Sequence, residues 1–331
     1  MRDTKMIILA VGSTVIGLGL MVASVLDDES LVDRVKALAT STTPNISYQT
    51  VLERDLGLAP GGSLRLNVPD ADIRVTTAPA GGRLSVEIRA EDATRARELF
   101  QRMQFTTTAE GNALVVRADD PHLDGNAWRG HGDVHVRIHV GIPNAVDLSL
   151  TTGDGDVSVG SVEGRVEIQT GDGDVLVGDV LGETAIRTGD GDVSLGMIRA
   201  STLMVQTGDG DIAIGGIEAE RIELRTGDGD VALASAAGPI DAATNDGDVS
   251  IQLATASPVS VRTGDGDIAI IVAQSLGFDL DLTGADVSVP HGMVMEGDVT
   301  SGSARGTVNG GGPLIKAVTG DGTVVVKVGE R

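Results

Sequence analysis

The sequence predicts an all-β fold, a single-stranded β-solenoid, from three observations. The pentapeptide Thr-Gly-Asp-Gly-Asp occurs six times, and a further copy with Asn as its second residue begins at Thr244. These seven copies follow one another at steps of 18 or 19 residues. Apolar and polar residues alternate between the copies, and the chain holds 46 Gly but only 2% aromatic residues. So short a fixed period is the signature of stacked repeats.

Each repeat is predicted to consist of two short strands and two turns. In the first repeat Val157 and Val159 point inward, residues 160–164 turn, Val166 and Ile168 point inward, and the next pentapeptide turns again. Stacking at about 4.8 Å per rung gives roughly nine or ten rungs over the repetitive part of the chain. The handedness of β-crossovers favours a right-handed coil.

The repetitive part is predicted to span residues 151–290, with degenerate rungs and a C-terminal cap at 291–331. The rung of Val287 has a shortened turn, Thr283-Gly-Ala-Asp286, in which only the second Asp position survives. Its 19-residue step predicts that this rung stacks directly on the rung of Ile268. One more copy of the turn, ending in Thr, begins at Thr319.

The N-terminal region predicts a membrane anchor. Met6 to Leu26 is an uncharged apolar run of 21 residues, and as a helix it would reach about 31 Å, enough to cross a bilayer. Lys5 precedes the run and acidic residues follow it, so residues 1–5 are expected in the cytoplasm and the rest outside. A cleaved signal peptide is the alternative, because Val22-Ala23-Ser24 offers small residues near a possible cut.

A juxtamembrane helix and linker are expected at 27–45, followed by a small α+β cap region at 46–150. The cap region alternates like strands and contains one helical stretch, from Asp92 to about Met103. Its expected role is to cover the open end of the solenoid, because an uncovered end would associate with other chains.

The charge of the chain restricts its partners. The net charge is −23, and residues 151–270 carry 16 Asp and 6 Glu against 6 Arg and no Lys. Such a surface repels nucleic acid, so no nucleic-acid partner is expected, and cations or basic molecules are the natural ligands. The absence of Cys excludes disulfides and thiolate metal sites.

Two interpretations of the Asp pairs remain open. The pentapeptide could be a self-capping corner in which Gly allows the turn, the first Asp caps it, and the second Asp faces outward. However, carboxylates stacked 4.8 Å apart repel by roughly 0.9 kcal/mol per pair in water, which cations between rungs would relieve. Calcium suits such oxygen ligands. The candidate calcium ligands are Asp154, Asp156, Asp172, Asp174, Asp190, Asp192, Asp209, Asp211, Asp228, Asp230, Asp246, Asp248, Asp265 and Asp267.

Catalysis is not expected, and no other cofactor is predicted. An active site needs one distinctive group of side chains, whereas these carboxylates are alike from rung to rung. His131, His135 and His139 share one face of a strand, but residues four apart there are about 13 Å apart, too far to bind a single zinc ion.

The run RIHVGIPNAVDLSLTTGDGDVSV, from Arg137 to Val159, resembles the bacterial putative-adhesin domain of unknown function, whose members stack TGDGDV turns behind a small αβ segment. The resemblance covers roughly residues 60 to 328, counted from the motif copies. It implies an extracytoplasmic β-solenoid and carries over no catalytic residues.

The expected function is therefore non-enzymatic: a scaffold held by a single span in the bacterial cytoplasmic membrane, which contacts a protein or an envelope polymer through its regular surface. A calcium-binding envelope or signalling module is the alternative. An enzyme that acts on polysaccharide is the third possibility, since β-helices with paired carboxylates serve that chemistry. The sequence does not determine the oligomeric state.

Overall fold

The computed structural model describes residues 47–77, 82–119, 135–289 and 295–329. The chain divides into two units, Met1–Ser47 and Tyr48–Arg331. The helix and strands belong to the second unit, except that the first strand begins at Ser47. The predicted anchor at 6–26 and the predicted helix and linker at 27–45 lie outside the described residues. Within the four described ranges, no helix has both the length and the apolar character needed to cross a bilayer.

The described residues form one helix and 26 strands. The helix, α1, is Ala93–Arg102. The strands are β1 (Ser47–Asp55), β2 (Gly62–Asn67), β3 (Ala71–Thr77), β4 (Arg83–Ala90), β5 (Thr106–Glu110), β6 (Ala113–Arg117), β7 (Val136–Ile142), β8 (Val146–Thr151), β9 (Val157–Val159), β10 (Val166–Gln169), β11 (Val175–Val177), β12 (Val180–Leu181), β13 (Thr184–Arg187), β14 (Val193–Gln206), β15 (Ile212–Arg225), β16 (Val231–Ala237), β17 (Ile240–Ala243), β18 (Val249–Leu253), β19 (Val259–Arg262), β20 (Ile268–Val272), β21 (Phe278–Thr283), β22 (Asp286–Ser288), β23 (Met295–Val299), β24 (Ser303–Val308), β25 (Leu314–Val318) and β26 (Thr323–Val328).

Most strands stack in two parallel columns, because the alternation of apolar residues repeats in register from one turn to the next. Column A contains the strands that follow each pentapeptide, and column B contains those that precede it. In spatial order, column A is β7, β3, β9, β11, the start of β14, the start of β15, β16, β18, β20, β26 and β22. Column B is β6, β2, β8, β10, β13, the end of β14, the end of β15, β17, β19, β25 and β21.

The two columns enclose a narrow aliphatic core. In one layer Val193 and Leu195 of column A face Leu203 and Val205 of column B, and all four are at most 5% exposed. The β-solenoid architecture predicted from the sequence is confirmed. The described residues contain eleven layers, one more than the upper prediction, because both ends of the stack include layers from outside the regular repeat.

A third, shorter ladder occupies the corner opposite the pentapeptide. Val180 pairs with Val162 and with Ile198, which in turn pairs with Ile217, and all four residues are buried. The chain turns at 160–164 as predicted, and Val162 within this turn also pairs with the next layer, which was not predicted. A single inward residue per repeat is too short a pattern to show periodicity, so it carries no strand signal.

The N-terminal end of the stack is built from the predicted cap region. The pair β2 and β3 forms one full layer, and the pair β6 and β7 forms the layer outside it. Next, β4 pairs antiparallel with β7, and β5 pairs antiparallel with β6. These antiparallel strands end the parallel columns.

The helix α1 connects β4 to β5 at this end. Asp92 caps it, since its Oδ1 accepts hydrogen bonds from the N–H groups of Thr94 and Arg95 at 2.8 Å. Leu99 and Met103 are buried on its inner face. The helix predicted from Asp92 to about Met103 is therefore confirmed.

The C-terminal end departs from sequence order. Ile268 of β20 pairs with Val324 of β26, and Val324 pairs on its other side with Val287 of β22. The last layer in sequence, formed by β25 and β26, thus lies between the layer of β20 and the layer of β22. The prediction that the rung of Val287 stacks directly on that of Ile268 is wrong.

The lengths of the turns explain this order. Thr283 pairs with Val318, and Asp286 pairs with Thr323. Two residues lie between Thr283 and Asp286 in the outermost layer, whereas four lie between Val318 and Thr323 in the layer beneath it. The turn at Thr319 retains Thr-Gly-Asp-Gly and continues the column of regular corners. The shorter turn at Thr283 lies in the outermost layer, where this column ends. The prediction that Asp286 retains the second Asp position is confirmed by its register. Beyond it, β24 pairs antiparallel with β21 and β23 and ends column B.

Candidate functional site

The pentapeptide corner begins with a threonine whose side chain points into the stack. Oγ1 of Thr226 lies 2.8 Å from the carbonyl oxygen of Gly210 and 3.3 Å from that of Gly208, both in the preceding layer. It also accepts a hydrogen bond from the N–H of Gly229 at 3.3 Å. Thr226 is 8% exposed, so its hydroxyl satisfies buried backbone groups. Equivalent contacts to the preceding layer are made by Thr170, Thr188, Thr207, Thr244, Thr263 and Thr319.

The two glycines allow successive layers to approach closely. The N–H of Gly227 donates to the carbonyl oxygen of Gly208 in the layer below. A Cβ built on Gly229 would overlap the carbonyl oxygen of Gly210. Glycine is therefore required at this corner by the contact between layers, which leaves no room for a side chain.

The second Asp of the pentapeptide forms a ladder of hydrogen bonds along the stack. In each case its Oδ1 accepts from the backbone N–H of the equivalent residue in the next layer, at 2.7–3.0 Å. The seven donors are the N–H groups of Asp174, Asp192, Asp211, Asp230, Asp248, Asp267 and Thr323. The expectation that the first Asp caps the turn is wrong, whereas the second Asp faces outward as expected and in addition accepts this hydrogen bond.

The first Asp lies beside the next glycine rather than on a donor. Oδ1 of Asp172 is 2.5 Å from the point where a Cβ on Gly189 would lie, so its carboxylate covers that glycine. Within the described part of the chain, no hydrogen bond or ion pair reaches the first-position carboxylates from Asp154 to Asp265. These side chains are exposed. They are the carboxylates that remain available to a partner.

We call the fourteen exposed Asp residues predicted as calcium ligands, from Asp154 to Asp267, the acidic ridge. Their columns follow one edge of the stack, at about the 4.8 Å spacing of its layers. Among the described residues, no group of three or more His, Cys, Asp or Glu side chains converges as a metal site would require. Calcium binding by these fourteen residues stays a prediction.

The face of column A beside the acidic ridge is uncharged over seven layers. Its outward side chains are small, apart from Leu176, which is 57% exposed. They are Ser158, Leu176, Ser194, Ala213, Ala232, Ser250 and Ala269. The ridge is therefore a narrow line of charge beside a neutral face, and this face offers neither lysines nor aromatic rings to a carbohydrate.

The histidines are dispersed among other groups. Nε2 of His139 lies 3.7 Å from a carboxylate oxygen of Glu87 on the adjacent strand. His135 is exposed at the start of β7. His131 lies outside the described residues.

A second charged group, which the sequence pattern does not indicate, lies near the C-terminal end of column B. Oδ1 of Asp281 accepts from Nη2 of Arg305 at 2.8 Å, and its Oδ2 is 3.7 Å from Nζ of Lys316. The hydrogen bond from Arg305, together with the charges of Arg305 and Lys316, holds the pKa of Asp281 below its usual value. The pKa of Arg305 is correspondingly raised by its hydrogen bond to Asp281. The signal was absent because β24, which carries Arg305, shows no repeat pattern.

Comparison with known proteins gives a family match and distant structural similarity. The family model for Toastrack DUF4097, a domain of unknown function, matches residues 63–327. No curated protein sequence matches the chain.

Three solved structures illustrate the structural similarity. A protein from Bacteroides fragilis named a putative adhesin is 13% identical, covers 86% of this chain and 98% of its own, and has a TM-score of 0.39. A protein from Parabacteroides distasonis named a putative lipid binding protein is 12% identical, with 85% and 97% covered and a TM-score of 0.38. A Parabacteroides merdae protein named a putative adhesin is 10% identical, with 85% and 97% covered and a TM-score of 0.33. Similarity at this level does not bear on function.

Proposed function

The chain belongs to the Toastrack DUF4097 family, and from that premise we propose that it is a non-enzymatic interaction scaffold of the bacterial envelope. Its working surface is the acidic ridge, and its partner is a basic protein segment or a cationic envelope polymer. Catalysis has no part in this proposal, because the ridge repeats one pair of carboxylates instead of forming one distinctive site.

The free first-position carboxylates are the observation that carries the proposal. They are exposed, they have no cationic partner among the described residues, and they stand on a backbone held by hydrogen bonds in every layer. A rigid line of uncompensated charge attracts a partner of opposite sign without having to be ordered first. The neutral face beside it does not weaken that attraction.

The test removes charge from the ridge without touching its hydrogen bonds. The ridge variant replaces four first-position residues with Ser: Asp172, Asp190, Asp209 and Asp228. The control variant replaces four exposed glutamates away from the ridge with Gln: Glu91, Glu110, Glu167 and Glu220. Both lose four negative charges, so only the location of the charge differs.

Binding to polylysine at low ionic strength is measured for the wild type and both variants. We expect the wild type and the control variant to bind alike, and the ridge variant to lose affinity by about tenfold or more, since removing complementary charge costs on the order of 1 kcal/mol or more. Equal binding by all three proteins would contradict the proposal.

We place this scaffold outside the cytoplasmic membrane, held by the segment from Met6 to Leu26. The length of that run and the charges on either side of it support this placement. The full chain should remain with the membrane after alkaline carbonate extraction, and its intact mass should include residues 1–26. A released chain that lacks those residues would instead show a cleaved signal peptide.

Calcium binding is the second candidate. The ladder occupies Oδ1 of each second-position Asp, while no described donor reaches Oδ2 of these residues, so a cation could bind this oxygen together with the free first-position carboxylate of each layer. If the ridge binds calcium, the unfolding midpoint rises in calcium and falls in chelator. An unchanged midpoint would eliminate this candidate and leave the scaffold proposal intact.

A further inference from the structure

Every regular corner contains an Asp–Gly bond, which is a site of spontaneous backbone rearrangement. The amide nitrogen of the glycine attacks Cγ of the aspartate, and water leaves as a five-membered succinimide forms. Addition of water then opens the ring at either carbonyl, giving aspartate or isoaspartate. Glycine favours the reaction because it has no side chain to hinder the attack. The chain holds eight such bonds in its corners, from Asp154–Gly155 to Asp321–Gly322.

Isoaspartate would damage this fold more than most. It adds one methylene to the main chain and leaves the carboxylate attached directly to Cα. Each layer must meet its neighbours in register along both columns, and the glycine corner has no room for displacement. The corners must therefore stay chemically intact if the ridge is to keep its geometry.

The corner threonine contacts the nitrogen that would attack. Oγ1 of Thr226 accepts a hydrogen bond from the N–H of Gly229, the glycine of the Asp228–Gly229 bond. The same hydrogen bond from a glycine N–H to a threonine Oγ1, at 3.1–3.3 Å, is made at five of the eight corners. Its donors are the N–H groups of Gly210, Gly229, Gly247, Gly266 and Gly322.

We propose that the column of threonine hydroxyls protects the Asp–Gly bonds of the ridge from isoaspartate formation. The attacking nitrogen must give up its proton and rotate toward Cγ. A hydrogen bond to a buried hydroxyl, itself fixed on carbonyl oxygens of the preceding layer, opposes both steps. This role does not depend on whether the ridge binds a partner.

The first corner provides an internal contrast. Oγ1 of Thr152 accepts from the N–H of Ala71 in the neighbouring layer, and within the described residues no bond joins it to Gly155. In aged wild-type protein, we therefore expect Asp154 to convert before Asp228.

The experiment incubates the full chain at 37 °C and neutral pH and locates isoaspartate by peptide mass spectrometry. The wild type is compared with Thr226→Val, which removes the hydroxyl, and Thr226→Ser, which retains it. We expect Thr226→Val to convert Asp228 about tenfold faster than the wild type, the upper range of what one hydrogen bond supplies. Asp190 and Asp265, whose corners do not contact Thr226, should be unaffected in the same molecules, and Thr226→Ser should behave like the wild type.

Equal rates at Asp228 in the wild type and in a folded Thr226→Val variant would overturn the proposal. If Thr226→Val does not fold, the wild type alone decides the question. Native protein must then convert Asp228–Gly229 more slowly than Asp154–Gly155, whose threonine makes no such hydrogen bond within the described residues, and the two rates must become similar in urea. Similar rates in the native protein would refute the proposed protection.

Discussion

Thr, Gly and Asp stabilise the pentapeptide corner in three different ways. The threonine hydroxyl bonds buried carbonyl groups, the glycines let the backbones of two layers touch, and the second Asp receives an N–H from the next layer. The first Asp contributes charge and no hydrogen bond to the stack. Substitutions at neighbouring positions of one pentapeptide should therefore have sharply different costs.

Gly229→Ala should destabilise the protein by about 3 kcal/mol, because the new methyl group would overlap the carbonyl oxygen of Gly210 and force the layers apart. Gly160→Ala is the control. A Cβ there would meet its nearest neighbour at 3.6 Å, an ordinary contact, so the change should stay within about 0.5 kcal/mol. Denaturant unfolding measures both, and equal costs would contradict the close contact between layers.

Asp230→Ala should cost about 1 kcal/mol, because the N–H of Asp248 loses its acceptor. Asp230→Asn keeps an Oδ1 in the same place and should cost less. Asp228→Ala, two residues earlier, removes no hydrogen bond and should stay within about 0.5 kcal/mol. A larger loss at Asp228 than at Asp230 in denaturant unfolding would reverse the assignment of the two Asp positions.

At the residue scale, the sequence predicted the corner but not which of its two Asp side chains accepts the hydrogen bond from the next layer. Glycine and aspartate in a tight turn have a recognisable pattern. Which carboxylate reaches a donor depends on the position of the next layer, 18 or 19 residues away, and on a side-chain direction that spacing does not encode. The roles of Asp228 and Asp230 could therefore be exchanged without any change in the sequence pattern.

At the element scale, the order of layers at the C-terminal end can be tested with introduced cysteines, since the chain has none. Ala269 pairs with Val325, and Val325 pairs with Ser288. Neighbouring strands place Cα atoms about 5 Å apart, within disulfide range, whereas strands two layers apart are near 10 Å.

We therefore expect the pair Ala269→Cys and Val325→Cys to oxidise to a disulfide in the folded protein. The pair Ala269→Cys and Ser288→Cys should not, although sequence order alone would make these residues neighbours. Non-reducing electrophoresis and peptide mapping distinguish the two. Efficient cross-linking of Ala269→Cys to Ser288→Cys would restore the sequential order.

The ion-pair group on β21, β24 and β25 should make part of the stability depend on pH. Because Arg305 holds the pKa of Asp281 below its usual value, the carboxylate favours the folded state at any pH above its unfolded pKa. That contribution is lost as the pH falls through the folded pKa. The difference in urea midpoint between the wild type and Asp281→Asn should thus be full at neutral pH and should shrink below about pH 4. A difference that stays constant down to pH 2 would contradict this assignment.

The regular elements and the helix of the N-terminal end were predictable, and the order of layers at the C-terminal end was not. The alternation around Val193 and Leu203 repeats through the whole stack, so it identified column A, column B and their inward residues. The layer of β25 and β26 lies between those of β20 and β22 because its turn fits the last regular corner. There the hydroxyl of Thr319 donates to the carbonyl oxygen of Gly266, far away in sequence. Local periodicity carries no information about such a match.

At the scale of the whole molecule, 14 of the 48 acidic residues lie along one edge of the solenoid, in the acidic ridge. Stacked carboxylates in water repel by roughly 0.9 kcal/mol per neighbouring pair, and salt screens that repulsion. The unfolding midpoint should therefore rise between low and moderate salt, and it should rise less in the ridge variant than in the control variant. A midpoint independent of salt would mean that the ridge charges are already compensated.

The free first-position carboxylates of the acidic ridge are the groups that we propose bind the partner. The decisive measurement is retention of the full-length protein, solubilised in detergent, on membrane-free bacterial cell-wall material at low and at moderate salt. We expect the wild type and the control variant to be retained at low salt and released by moderate salt, and the ridge variant to be released under both conditions. Equal retention of the ridge variant and the control variant would show that the ridge carboxylates do not bind the partner.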